Sequence, residues 1–132
     1  MEEFSKVGSL NFFGLLKSGD MNKVKKVIEC IKRYNPQKII IFGSYTRGET
    51  DEYSDLDFVV IKKTKKRFIR RLIEVAKLID YKHGQVDVFV YTPTEFNRMI
   101  KYGNPFIEQV LKEGKVVYEK KKRRSSKMVE TS

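Results

Sequence analysis

Two apolar runs joined by a polar turn constrain this chain more than any other feature. The first is Ile39-Ile40-Ile41-Phe42, ending in Gly43-Ser44. The turn passes through Arg47-Gly48, and the second run, Ser54 to Ile61, opens with Asp55 and Asp57. Length and β-branched content mark both runs as buried strands. Residues two apart on a strand point to the same face, so Asp55 and Asp57 face one way and Leu56 the other. A strand that served only a core would not begin with two acids. Gly43 and Gly48 bracket the turn, where backbone freedom or close approach of a ligand is most useful.

The flanking segments alternate between helix and strand patterns. Val24, Val27, Ile28, Ile31 and Tyr34 recur at helical spacing, with Asp20 as the expected cap and Asn35-Pro36 as the stop. Phe68, Leu72, Val75 and Ile79 form a second helical stripe, closed by His83-Gly84. Gln85 to Tyr91 reads as a third strand, nearly continuous in apolar residues except for Asp87. Thr92-Pro93-Thr94-Glu95 has the pattern of a helix-capping box. Gly103-Asn104-Pro105 restarts a helix, and Lys115 to Glu119 is a short last strand. This alternation predicts an α/β or α+β domain with a mixed sheet of about four to five strands. Helices are expected mainly on one face, with the acids on the open part of the other. The predicted organisation is an N-terminal extension (1–19), a single folded domain (20–119) and a basic disordered tail (120–132).

Composition narrows the function classes. Cys30 is the single cysteine, which excludes an internal disulfide. It lies near the apolar side of the first helix, where a packed residue is expected. No apolar run approaches the roughly 20 residues of a membrane span, and the acidic start is unlike a signal peptide. A cytoplasmic protein without membrane contact is therefore expected. His83 is the single histidine, in a turn, and no chemical role is expected for it. The formal net charge is +11, of which the tail supplies five, since it holds six Lys and Arg against one Glu. A basic surface favours polyanions, including a nucleotide or a nucleic acid. Lysine and glutamate used for solubility would look the same.

Three acids stand at strands that are otherwise apolar: Asp55, Asp57 and Asp87. If the third strand pairs beside the second, Asp87 lies about 5 Å from one of the other two. Two such charges repel by about 3 kcal/mol at an effective dielectric of 20. Protons or divalent cations must then compensate. Oxygen ligands without a His or Cys cluster favour Mg²⁺ or Mn²⁺ over zinc. The Gly43-Ser44 turn suits a phosphate, because it leaves a strand and opens onto residues that can start a helix. Arg47 is close enough in sequence to meet an outer phosphate. The turn lacks the glycine-lysine-serine/threonine ending of a P-loop.

Together, Gly43-Ser44, Arg47-Gly48, Ser54-Asp55-Leu56-Asp57, Asp87 in its Val-Asp-Val strand and the ending Glu113-Gly114-Lys115-Val116-Val117-Tyr118 resemble the DNA polymerase beta-type nucleotidyltransferases. The short length resembles the minimal nucleotidyltransferases that act as antitoxins of HEPN-domain toxins. The resemblance spans roughly residues 20–119. It implies the nucleotidyltransferase fold, with Asp55, Asp57 and Asp87 as catalytic metal ligands. Asp87 would be the third carboxylate, ligating the metal that activates the attacking hydroxyl, and Gly43 and Ser44 would hold the triphosphate. It further implies Mg²⁺, with two ions, ATP as donor, and transfer of AMP to a hydroxyl, with a tyrosine of a HEPN toxin expected. Tyr45 is bulkier than the pattern expects, and the basic tail is an addition. Two other readings are a non-catalytic antitoxin that neutralises a toxin by contact, and a nucleic-acid-binding subunit that uses the basic surface. The sequence leaves the acceptor, the nucleotide base and the oligomeric state, including a homo-oligomer, undecided.

Overall fold

A computed structural model of the chain describes residues 13–14, 16–51, 54–80, 82 and 84–121. Most of the N-terminal extension, His83 and the tail from residue 122 lie outside the described residues. The elements are α1 (Ser18–Lys32), β1 (Lys38–Phe42), α2 (Ser44–Arg47), β2 (Leu56–Ile61), α3 (Phe68–Ala76), β3 (Val86–Tyr91), α4 (Pro93–Lys101), α5 (Pro105–Glu113) and β4 (Lys115–Glu119). They build one four-stranded mixed sheet in the order β3-β2-β1-β4. β1 pairs antiparallel with β2 and with β4, and β2 pairs parallel with β3. A parallel pair needs a crossover, and α3 supplies it. The expected mixed sheet is the observed one.

Strand alternation divides the core into two clusters. Ile39 and Ile41 of β1, Leu56, Phe58 and Val60 of β2, and Val86 and Val90 of β3 face α1 and α3. Ile40, Val59 and Ile61 face the other way, onto Phe96 of α4 and Ile107 and Val110 of α5. The first cluster holds fifteen buried residues and the second seven, with α1 and α3 on one face and α4 and α5 on the other. The second face is thus partly roofed, and the acids stand where that roof ends. Each buried isoleucine of β1 contributes about 2 kcal/mol of apolar transfer energy.

Local chemistry explains the element ends. The Thr92 hydroxyl accepts from Glu95 N at 3.1 Å, and Thr92 N donates to the Glu95 carboxylate at 3.0 Å, which completes the capping box. Asn104 Oδ1 accepts from Ile107 N at 3.1 Å at the start of α5. Asp20 departs from expectation. α1 begins earlier, at Ser18, so Asp20 lies in its first turn and accepts from the Thr50 hydroxyl at 2.8 Å. α3 ends at Ala76, short of Gly84. Cys30 is half-buried and packs against the larger cluster. No described helix is long and apolar enough to cross a membrane.

Candidate active site

Strand register assembles the site. Phe42 lies opposite Asp57, and Asp57 lies opposite Asp87. The three side chains therefore form one row across β1, β2 and β3, on the face that carries α4 and α5. Paired strand residues sit about 5 Å apart, which puts the two carboxyls in contact range. Asp55 is exposed and precedes β2 by one residue.

The row ends beside a turn built for close approach. Gly43 follows β1 with φ 86° and caps α2. A Cβ on Gly43 would lie 2.5 Å from Asp57 Oδ2. Both the left-handed backbone and the missing side chain are required, so glycine is the residue that fits. The chain then turns through α2, with Thr46 N and its hydroxyl donating to the Gly43 carbonyl at 3.0 and 2.6 Å. Ser44, the first residue of α2, is half-buried and follows Gly43 directly.

The electrostatics follow from this crowding. Burial pushes the Asp57 carboxyl up to about 6, and the charges of Asp87 and then Asp55 push in the same direction. A hydrogen bond to Asp87 also favours the protonated form, while Arg47 opposes the rise. Asp57 thus senses both other acids. Gln85 Nε2 donates to Asp87 Oδ1 at 3.3 Å and steadies the third acid from two residues away on the same face.

Arg47 is less free than its position in the sequence suggests. Its Nε donates to Glu49 at 2.9 Å and its Nη1 to both carboxylate oxygens of Glu113 at 3.1 Å. These acids, Glu49 first, hold the guanidinium in its charged form. The side chain remains partly exposed, and its field reaches Asp57. An aromatic wall lies on the same face. Phe106 packs edge-on against Phe42 and Phe89, with centroids 5.5 and 5.2 Å apart. Sequence reasoning missed Gln85, Glu113 and this wall. The alternation that puts Gln85 on the face of Asp87 was legible, but the Glu113 contact joins residues 66 apart.

The chemistry of the donor set suits a hard divalent cation, since the charges of two neighbouring carboxylates crowd Asp57 and Arg47 offsets them only in part. Among the described residues, no three His, Cys, Asp or Glu side chains already stand as a finished metal cage. Asp57 and Asp87 are joined by a side-chain hydrogen bond, and Asp55 acts on Asp57 through its charge.

Known proteins resemble this chain over most of its length. The family model described as polymerase beta, nucleotidyltransferase matches residues 25–123. A candidate protein adenylyltransferase of Methanocaldococcus jannaschii is 31% identical over 99 residues, covering 72% of this chain and 94% of that protein. A second from the same organism is 33% identical over 87 residues, covering 62% of this chain and 58% of the relative. A crystal structure described as a toxin–antitoxin with AMP-PNP is 23% identical, covers 82% of this chain and 77% of that one, and superposes with a TM-score of 0.49. The family match runs over the turn and both acidic strands, and on that extent the chain belongs to the polymerase beta nucleotidyltransferase family.

Proposed function

We propose that this protein transfers AMP from ATP to a hydroxyl of a partner protein, a tyrosine of a HEPN-type toxin, and so acts as an antitoxin. The observation that supports this best is the register neighbourhood of Asp57 and Asp87, one residue row from the Gly43-Ser44 turn. In this reading Gly43 lets the backbone approach the triphosphate, and Ser44 donates its hydroxyl to a phosphate oxygen. Arg47 faces an outer phosphate after exchanging Glu113 or Glu49 for it. The acceptor oxygen bonds to the α-phosphorus, and the α–β anhydride bond breaks. Pyrophosphate leaves with the electron pair, and Asp87 receives the hydroxyl proton. Asp55, Asp57 and Asp87 would hold Mg²⁺ or Mn²⁺, which when bound neutralises phosphate charge and lowers the pKa of the acceptor. A phenol, with a reference pKa near 10, is easier to deprotonate than an alcohol.

The test is incubation with ATP, Mg²⁺ and the product of the adjacent gene, read by intact-mass spectrometry. AMP-sized additions to the partner, lost in Asp57→Asn, are the expected result. An unmodified partner that is still inhibited in a tight stoichiometric complex would falsify the reading. Independently, Mn²⁺ titration should show tight binding in the wild type and none in the triple Asp→Asn variant.

A further inference from the structure

β3 is an edge strand among the described residues, and its outer side is open. The carbonyls of Gln85 and Tyr91 accept from Leu56 N and Lys62 N at 3.1 and 2.9 Å. Backbone groups alternate along a strand, so the odd-numbered residues of β3 turn theirs towards β2. Val86, Val88 and Val90 turn theirs outward. Arg71 Nη1 takes the Val90 carbonyl at 3.2 Å and closes that end. Val86 and Val88 present their N–H and C=O groups to no partner among the described residues. Exposed edges of this kind are templates for pairing.

The surroundings of this edge are specific. A groove of about 170 Å³ runs beside it, lined by Leu72, Val75 and Ala76 of α3 and by Val86, Asp87 and Val88. Beyond it, Ile69 and Ile73, one turn apart on α3, are 66% and 44% exposed. Arg70 and Lys77 stand three and four residues from Ile73, so they flank that apolar stripe. Most important is the row Phe42–Asp57–Asp87. A strand added to β3 would put one of its side chains at the next place in that row, about 5 Å from Asp87. The side chains before and after it would point to the opposite face, into the groove.

We infer that the open edge of β3 binds the acceptor as an added strand, an extended segment in which a hydroxyl-bearing residue lies between two apolar ones. The basic flank of α3 selects acidic residues at the ends of that segment. The fate of the hydroxyl rests on the adenylyl-transfer reading, whereas the docking stands on the edge and the groove.

The probe is a synthetic peptide of about ten residues, alternating valine and threonine around one tyrosine and ending in aspartates, a length that spans the edge with room to spare. Titrated into the full chain, it should slow hydrogen exchange of the Val86 and Val88 amides at least tenfold. N-methylation of the peptide amides that face β3 should abolish binding, and N-methylation on the other alternation should not. Ala76→Gln, which fills the groove, should weaken the peptide tenfold with ATP affinity unchanged, and Arg70→Gln should weaken it less. Val88→Pro, which removes one outward N–H, should act like Ala76→Gln if it folds. Binding that leaves both amides unprotected, or that ignores N-methylation, overturns the proposal. So does protection already present without peptide, whether it vanishes on deleting residues 1–12 or grows with protein concentration. Peptide that pairs but receives no AMP sinks the transfer reading and supports the docking. AMP added to a whole partner without protection at β3 does the reverse.

Discussion

Gly43 and Asp57 form the tightest residue pair in the site. With 2.5 Å between an added Cβ and Asp57 Oδ2, and φ at 86°, Gly43→Ala must displace either the turn or the carboxylate. We expect nucleotidyl transfer to fall at least a hundredfold, since misplacement by about 1 Å costs that much. Circular dichroism should still report a folded protein, and wild-type turnover in the variant would contradict this account. Asp57 also makes a pH-dependent prediction. Its carboxyl is raised to about 6 in the folded protein, above its unfolded value, so the folded state holds the proton more tightly. Stability is then highest at or below about pH 4, declines as pH rises towards 6, and is level above that. Asp57→Asn removes the penalty. Because the group is partly solvated, the gain should be about 1 kcal/mol at pH 7 and near zero at pH 4 without metal. Urea melts at the two pH values measure it, and an equal effect at both would refute the cause assigned here.

The element that deviates most from its own pattern is α3. It buries Arg71 and exposes Ile69 and Ile73, the reverse of what a basic amphipathic helix suggests. Arg71 is held by four bonds: to the Lys66 carbonyl at 2.8 Å, the Val90 carbonyl at 3.2 Å, and the two oxygens of Glu95 at 2.7 and 3.0 Å. It ties the β2–α3 loop, the end of β3 and the start of α4 together. Arg71 holds the Glu95 carboxyl below the usual range, and Glu95 completes its own helix cap. Arg71→Met keeps the volume and strands the Val90 carbonyl and Glu95. A loss of about 2 kcal/mol is expected in denaturant unfolding. A variant as stable as wild type would make the ion pair a bystander.

At the scale of the molecule, Asp57 and Asp87 and the lysines Lys63, Lys65 and Lys120 occupy opposite ends of the sheet. Asp57 and Asp87 stand at the start of the parallel strands. Lys63 and Lys65 follow the end of β2, in a cleft shared with Gln37 and Thr92. Lys120 reaches the same end, donating to the side chain of Asn35 at 3.0 Å. Lys121, the last described residue, therefore follows at the end away from the acids. Deleting residues 122–132 is expected to leave the rate of AMP transfer within about twofold of wild type, because polyelectrolyte ends act mainly on encounter. A folded truncation without activity would show that the tail belongs to the site.

The strands, the turn and the acids were legible along the chain. Periods of two and 3.6, a capping box and a Gly-Ser ending are local signals, and β1, β4 and the cap of α4 fall where those signals put them. Which residues meet came from packing. Pairing β3 in parallel beside β2 made Asp87 the neighbour of Asp57 rather than of Asp55, and no spacing along the chain contains that register. The same holds for Arg47, which the turn alone would leave facing a phosphate, yet which Glu113 reaches from α5. It holds again for Arg71, whose burial is tolerable only because Glu95 and Val90 arrive from elsewhere in the fold. Periodicity records which face a residue prefers. The partner that makes a buried charge affordable comes from distant chain, and only packing brings it there.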